Sequence, residues 1–89
     1  MTLAFPNPSR SFDEARNAVL FFGYEGMFEI RFFVEASALA EGRSRGASMS
    51  EAQCLSAFDA MRASIHDVAR EVYSNHRRNW NTLTAIDFR

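Results

Sequence analysis

The chain has 89 residues, of which 47% are hydrophobic and 24% charged, and its formal net charge is −1. This length fits one small domain spanning residues 1–89, and the near-zero charge gives no global field toward nucleic acid or an anionic membrane. No window approaches the roughly 18 consecutive apolar residues that a membrane span needs, so we expect no membrane contact.

Cysteine usage and the N-terminal sequence favour a cytoplasmic location. Cys54 is the one cysteine, which excludes an internal disulfide. Residues 1–5 have no charged head and no long apolar run, which argues against a signal peptide. All ten basic residues are Arg. This usage fits either genomic composition bias or selection for bidentate contacts with phosphate or carboxylate.

The N-terminal segment contains one predicted strand and one predicted turn. Residues 2–5 alternate in the manner of a strand, which ends at Pro6 because proline cannot donate to a ladder. Residues 13–16 predict a tight turn or a single helical turn, with Phe12 anchoring it on the core.

Residues 17–34 predict a β-hairpin with strands 17–24 and 27–34 and a turn at Glu25-Gly26. A type I′ turn needs positive φ at both central residues, which suits Gly26 better than Glu25. A four-residue loop over 23–26 keeps the same faces, whereas a three-residue loop would flip one strand. The predicted pairs are Phe21 with Ile30 and Val19 with Phe32 on one face, and Leu20 with Arg31 and Phe22 with Glu29 on the other.

Two helices are predicted after the hairpin. Residues 36–41 predict a short helix that Gly42 would end, followed by a solvated loop over 42–47. Residues 49–75 predict a long helix that starts at a capping box formed by Ser48 with Glu51, or by Ser50 with Gln53. Two helices with a bend near residues 59–62 are the alternative. The apolar stripe of the predicted helix over 49–75 repeats in steps of four and three: Cys54, Phe58, Met61, Ile65, Val68 and Val72.

Residues 80–88 return to the alternation of a strand, but apolar residues occupy both of its faces, so the inner face stays open. A hairpin with one apolar face needs a covering layer, and the long helix is the one partner of matching length. We therefore predict a two-layer α+β domain with an antiparallel sheet, in which the last strand joins antiparallel or extends an edge. The helix would cover Val19, Phe21, Phe28, Ile30, Phe32 and Val34.

The second face of the hairpin is more apolar than a fully solvated sheet face should be. Either the N-terminal segment and the short helix cover it, or another chain does. The leading hypothesis is a non-enzymatic interaction module that self-associates through this face, as a homodimer or another homo-oligomer. Its candidate residues are Leu20, Phe22, Met27 and Phe33.

Several short motifs along the chain carry a resemblance through their order and spacing: Phe5-Pro6, Phe12-Asp13 with Arg16, Val19 and Phe21, then Phe32-Phe33-Val34, and later Ala57-Phe58 with Arg62 and Ile65. In these motifs the chain resembles a family of small bacterial proteins, catalogued as domain of unknown function 1488. The resemblance implies a compact α+β fold in a free-standing cytoplasmic protein, and it implies no activity. Met61 stands where the family often has a polar residue before the Arg, which favours an unbroken helix.

The sequence predicts neither a metal site nor a cofactor. His66 and His76 would lie roughly 15 Å apart on a straight helix, too far to share a metal. Cys54 has no CxxC partner and falls on the buried stripe, where a thiol packs rather than reacts. We therefore expect no catalytic residues.

One basic cluster supports an alternative function. Basic residues beside an aromatic ring are a common way to hold single-stranded nucleic acid, although helix ends also favour positive charge. The alternative is therefore a nucleic-acid-binding accessory protein. Its candidate residues are Arg70, His76, Arg77, Arg78 and Trp80.

Overall fold

A computed structural model describes residues 3–6, 9–40 and 50–88 of the chain. Within them, a sheet of four strands packs on three helices, which confirms the α+β fold. In chain order the elements are β1 (Ser11–Asp13), β2 (Ala18–Glu25), β3 (Phe28–Glu35), α1 (Ala36–Leu39), α2 (Glu51–Ala60), α3 (Arg62–His76), β4 (Trp80–Leu83) and a 3₁₀ helix (Ala85–Phe88).

The sheet has the order β1-β2-β3-β4 and is mixed. β1 and β3 both run antiparallel to β2, but β4 runs parallel to β3, with Arg31 opposite Trp80 and Val34 opposite Leu83. The prediction of a wholly antiparallel sheet is therefore wrong at its last strand. Two parallel strands need a long crossover, and the chain between β3 and β4 supplies it with the helices.

The hairpin is confirmed, and its turn lies one residue later than predicted. Gly26 and Met27 form the two-residue loop, and Glu25 pairs with Phe28. Gly26 has φ of 62° and Met27 is not among the positive-φ residues, as in a type II′ turn with glycine at its first central position.

The later turn shifts the register of the hairpin by two residues. Phe21 pairs with Phe32 and not with Ile30, and Val19 pairs with Val34 and not with Phe32. A shift of two positions preserves the faces, because side chains alternate with a period of two. The other two predicted pairs are wrong in the same way: Leu20 pairs with Phe33 and Phe22 with Arg31.

The terminal strands are shorter than predicted. Of residues 2–5, Ala4 forms an isolated bridge with Tyr24, while the first strand of the sheet is β1. The C-terminal strand ends at Leu83 instead of residue 88, because Asp87 Oδ2 accepts a hydrogen bond from the Thr84 N–H and the chain turns into the 3₁₀ helix. Leu83 is on the inner face of β4 and fully buried.

The predicted helix over 49–75 is two helices, so the unbroken helix that the family resemblance favours is wrong. The break is at Met61, with φ −103° and ψ 10°, and its N–H donates to the carbonyls of Ala57 and Phe58. The cap of α2 is the reciprocal pair of Ser50 and Gln53. The predicted capping role of Ser48 and the loop over 42–47 lie outside the described residues.

The short helix predicted over residues 36–41 is a single turn, α1.

The core lies between the helices and one face of the sheet. Phe21 and Phe58 join the two layers with ring centroids 5.1 Å apart. Phe28 is a correction to the predicted core, since it is 74% exposed beside the hairpin turn. Residues fully or nearly fully buried in this core include Val19, Phe21, Phe32, Val34, Leu39, Cys54, Phe58, Ile65 and Leu83.

Candidate functional site

The sheet face that points away from the core is the candidate functional surface, and we call it the far face. Phe33 and Ala18 are buried on it, yet neither belongs to the core cluster between sheet and helices. By the strand pairing, the far face comprises Ala18, Leu20, Phe22, Tyr24, Glu29, Arg31, Phe33, Glu35, Trp80 and Thr82.

Arg16 and Trp80 cover Phe33. The Arg16 guanidinium lies 4.8 Å from the Phe33 ring centroid and 4.7 Å from that of Trp80, and the two rings are 5.6 Å apart. Arg16 comes from the turn after β1, where its N–H donates to Asp13 Oδ1 at 3.1 Å. These cation–π contacts hold the positive Arg16 guanidinium against the two aromatic rings.

A second guanidinium lies near the same indole ring. Arg31 is 5.8 Å from the ring centroids of both Trp80 and Phe22. Trp80 remains 46% exposed between the two arginines. It borders two clefts of about 260 and 200 Å³, one bounded by Glu35 and the other by Glu29. The far face is therefore an aromatic surface that carries charges of both signs.

The predicted interaction residues occupy different environments. Leu20 and Phe22 lie half-buried on the far face, and Phe33 is only 4% exposed. Met27 is 98% exposed, but it lies in the hairpin turn. Arg16 was not among the predicted interaction residues, because the pattern of residues 13–16 indicates a turn but not where the Arg16 side chain lies.

The predicted basic cluster is divided among several contacts. Arg70 donates to the Leu3 carbonyl oxygen and to Asp67, and Arg77 lies 3.9 Å from Glu25 Oε2. Trp80 contacts Arg16 and Arg31 of the far face instead. His76 and Arg78 are exposed at the end of α3 and just after it.

Two of the residues considered for chemistry, Cys54 and His66, are occupied in packing. Cys54 is fully buried, and desolvation raises the pKa of its thiol. The His66 ring stacks on Phe5 with centroids 4.0 Å apart. Over residues 3–6, 9–40 and 50–88, no group of three or more His, Cys, Asp or Glu side chains could hold a metal ion.

A cleft of about 450 Å³ is lined by Ser9, Arg10, Asp59 and Arg62. Asp59 accepts from Arg10 Nε and Nη2 at 3.0 and 2.8 Å and from Arg62 at 2.7 Å. The hydrogen bond from Arg10, followed by that from Arg62, lowers the pKa of Asp59. This carboxylate is ionised and paired, which does not suit a general acid or base near neutral pH.

His66 gives the protein a predicted pH dependence. Burial, then the positive charges of Arg62 and Arg70, lower the pKa of His66 in the folded chain. Below the unfolded value of about 6.5 the unfolded chain therefore binds more protons, so stability is full above that pH and is lost as pH falls through the lower folded pKa.

The His66→Phe variant keeps a ring beside Phe5 but removes this titration. Urea unfolding at several pH values between 8 and about 5 should show a smaller loss of stability in the variant than in the wild type. If the free energy of unfolding changes equally with pH in the two proteins, His66 does not contribute to the pH dependence.

Comparisons with known proteins give one match. The family model described as Protein of unknown function (DUF1488) matches residues 3–84. A search of curated proteins and a search of solved structures each found no match. In the part of the chain that the structure describes, every helix is too short or too polar to cross a bilayer.

Proposed function

Because the chain belongs to the DUF1488 family, which is described only as of unknown function, we propose its role from its surface: a non-enzymatic interaction module that binds a second copy of itself through the far face. The observation that carries the proposal is Trp80, which is nearly half exposed between two guanidiniums. Tryptophan and arginine are the side chains most enriched at the centres of protein interfaces.

The charges of the far face support a partner identical to this chain. Arg16 and Arg31 lie on the same surface as Glu29 and Glu35, and the whole chain carries a net charge of −1. In a two-fold interface each patch meets its own copy, so a patch must carry both signs to be complementary to itself. A domain this small also gains stability from association, since its own core is limited.

The paired state of the polar groups supports a role without catalysis. Asp59 is held by two arginines, Glu25 accepts a hydrogen bond from the Tyr73 hydroxyl at 2.8 Å, and Cys54 is buried as a thiol. A general base or nucleophile needs a free, accessible group with a suitable pKa. A buried free cysteine also suits a reducing cytoplasm, where we place the protein.

Sedimentation equilibrium tests the proposal with Trp80→Ala. We expect wild-type dimers at micromolar concentration and a dissociation constant at least about tenfold higher for Trp80→Ala, as for a central interface residue. Phe28→Ala is the matched control, because Phe28 is an even more exposed aromatic on the opposite face of the sheet. A wild type that stays at 10.1 kDa up to several hundred micromolar would contradict the proposal.

Binding of single-stranded nucleic acid is the second candidate function. It is favoured by the contact of two guanidiniums with a half-exposed indole, a combination on which bases stack. Arg77 and Arg78 would extend this site toward the end of α3. Fluorescence anisotropy of labelled oligonucleotides at low salt should then show binding that weakens steeply with added salt. No change in anisotropy at low salt would rule this candidate out.

A further inference from the structure

The edge of the sheet at β4 has main-chain groups that point away from the rest of the sheet. The Arg31 N–H donates to the Asn79 carbonyl at 2.8 Å, and Arg31 is the ladder partner of Trp80. In a parallel ladder the groups that face the neighbouring strand alternate along the chain. Asn81 and its alternate neighbours therefore face β3, while the N–H and C=O groups of Trp80 and Thr82 point outward.

No strand of residues 3–6, 9–40 or 50–88 lies beyond β4 in the sheet. The outer side of β2 is different, because β1 covers its first half and Ala4 bridges to Tyr24 in its second half. β4 contains no proline and no charged residue, the features by which proteins commonly protect an open edge. Such an edge binds an extended segment through main-chain hydrogen bonds.

Resting on the proposed self-association and placing the contact at the β4 edge of the far face instead of across it, we propose that β4 pairs antiparallel with β4 of a second copy, about a two-fold axis at Asn81. Each Trp80 then exchanges both main-chain hydrogen bonds with Thr82 of the other copy. The four hydrogen bonds use the outward-pointing N–H and C=O groups of Trp80 and Thr82 in both copies, and no other main-chain groups. The two sheets become one sheet of eight strands, and the two far faces become continuous.

The neighbouring registers are less favourable, because they need main-chain groups that lie outside β4 and already make hydrogen bonds. An axis at Trp80 would require the main chain of Arg78, whose carbonyl oxygen accepts from Asn81 Nδ2 at 2.8 Å. An axis at Thr82 would require the N–H of Thr84, which donates to Asp87 Oδ2 at 2.8 Å. The existing hydrogen bonds thus select the register centred on Asn81.

Charge complementarity favours a second copy as the occupant over an unrelated peptide. In this register Arg78 of one copy lies opposite Thr84 of the other, and the Asp87 carboxylate binds that Thr84 through both its N–H and its hydroxyl. Arg78, just before β4 of one copy, therefore faces the segment after β4 of the other copy that carries Asp87. The two-fold symmetry gives this contact twice per dimer. No like charges are directly opposed between positions 78 and 84.

Amide hydrogen exchange on the wild-type protein tests the edge directly. As concentration rises through the range in which sedimentation detects dimer, the amides of Trp80 and Thr82 should exchange more slowly. The amide of Met27 in the hairpin turn should not change. A dimer in which both β4 amides remain as fast as Met27 would overturn edge pairing and leave the far-face proposal standing. A chain that stays monomeric throughout would overturn both.

Thr82→Pro is the second test, because proline removes the outward N–H and leaves the ladder to β3 without a lost donor. We expect its dissociation constant to rise about tenfold or more, with an unchanged circular dichroism spectrum. Thr82→Val is the matched control, since it keeps the N–H and the branched shape and should weaken dimerisation far less than Thr82→Pro. Equal dimerisation of the two variants would overturn edge pairing. If Thr82→Pro does not fold, the exchange measurement on the wild type decides.

Discussion

Phe21→Ala is expected to lower the free energy of unfolding by about 3–5 kcal/mol. Phe21 is 2% exposed, and its ring lies 5.2 Å from that of Phe32, 5.1 Å from Phe58 and 6.0 Å from Phe5. Truncation leaves a cavity where the two layers and the N-terminal segment meet. Since small domains are stable by only about 5–15 kcal/mol in total, this variant should be close to unfolding at room temperature.

Phe28→Ala is the control, because it makes the same chemical change in the same hairpin at a position that is 74% exposed. Its stability should stay within about 0.5 kcal/mol of wild type. Urea unfolding followed by circular dichroism measures both variants. A loss under about 1 kcal/mol for Phe21→Ala, or equal losses for the two, would contradict the position of Phe21 between sheet and helices.

Gly23→Val is expected to destabilise the chain by about 1–3 kcal/mol through overpacking. A Cβ atom at Gly23 would lie 2.8 Å from Phe5 Cε1 and 3.0 Å from Leu3 Cδ1. The N-terminal segment therefore lies directly on the glycine, next to the bridge between Ala4 and Tyr24. Valine at this position must push against the Phe5 ring, which stacks on His66.

A double-mutant cycle with Phe5→Ala separates this clash from the intrinsic effect of valine in a strand. In the Phe5→Ala background the cost of Gly23→Val should fall clearly, because the nearest atom is gone and the two sites are coupled. Urea midpoints of the four proteins give the coupling energy. Additive losses would mean that Phe5 does not pack on Gly23 in solution.

The faces of the hairpin were predictable and its register was not. Alternation placed Val19, Phe21 and Ile30 together, and all three are buried. The turn was ambiguous, because Gly26 can occupy either central position of a two-residue loop, in a type I′ or a type II′ turn. Gly26 occupies the first central position of the turn. This shifts every cross-strand pair by two positions and leaves the faces as predicted.

The break at Met61 and the direction of β4 had no local pattern in the sequence. The apolar stripe continues with steps of four and three from Phe58 through Met61 to Ile65, so its spacing is the same with or without a break. Whether the last strand pairs parallel or antiparallel depends on where α3 ends relative to the sheet. That is a tertiary property that alternation of side chains does not encode.

The candidate site was predictable as a surface but not in its detail. The alternation of β2 and β3 identified Leu20, Phe22 and Phe33 as residues of the far face. Trp80 was predicted to belong to the basic cluster and not to the far face. Its contact with Phe33 depends on the parallel pairing of β4 with β3, which the sequence did not indicate. The position of Arg16 over the rings depends on the geometry of a turn, which composition alone does not specify.

The parallel pairing of β3 with β4 also constrains the order of folding. Val34 and Leu83 are neighbours in the sheet, although both longer helices separate them along the chain. The β2–β3 hairpin closes over two residues, whereas this contact must close a loop many times longer, at an entropic cost that grows with the logarithm of loop length. Contacts between distant positions form slowly. We therefore expect the hairpin to form early and the tryptophan-bearing strand to join the sheet later.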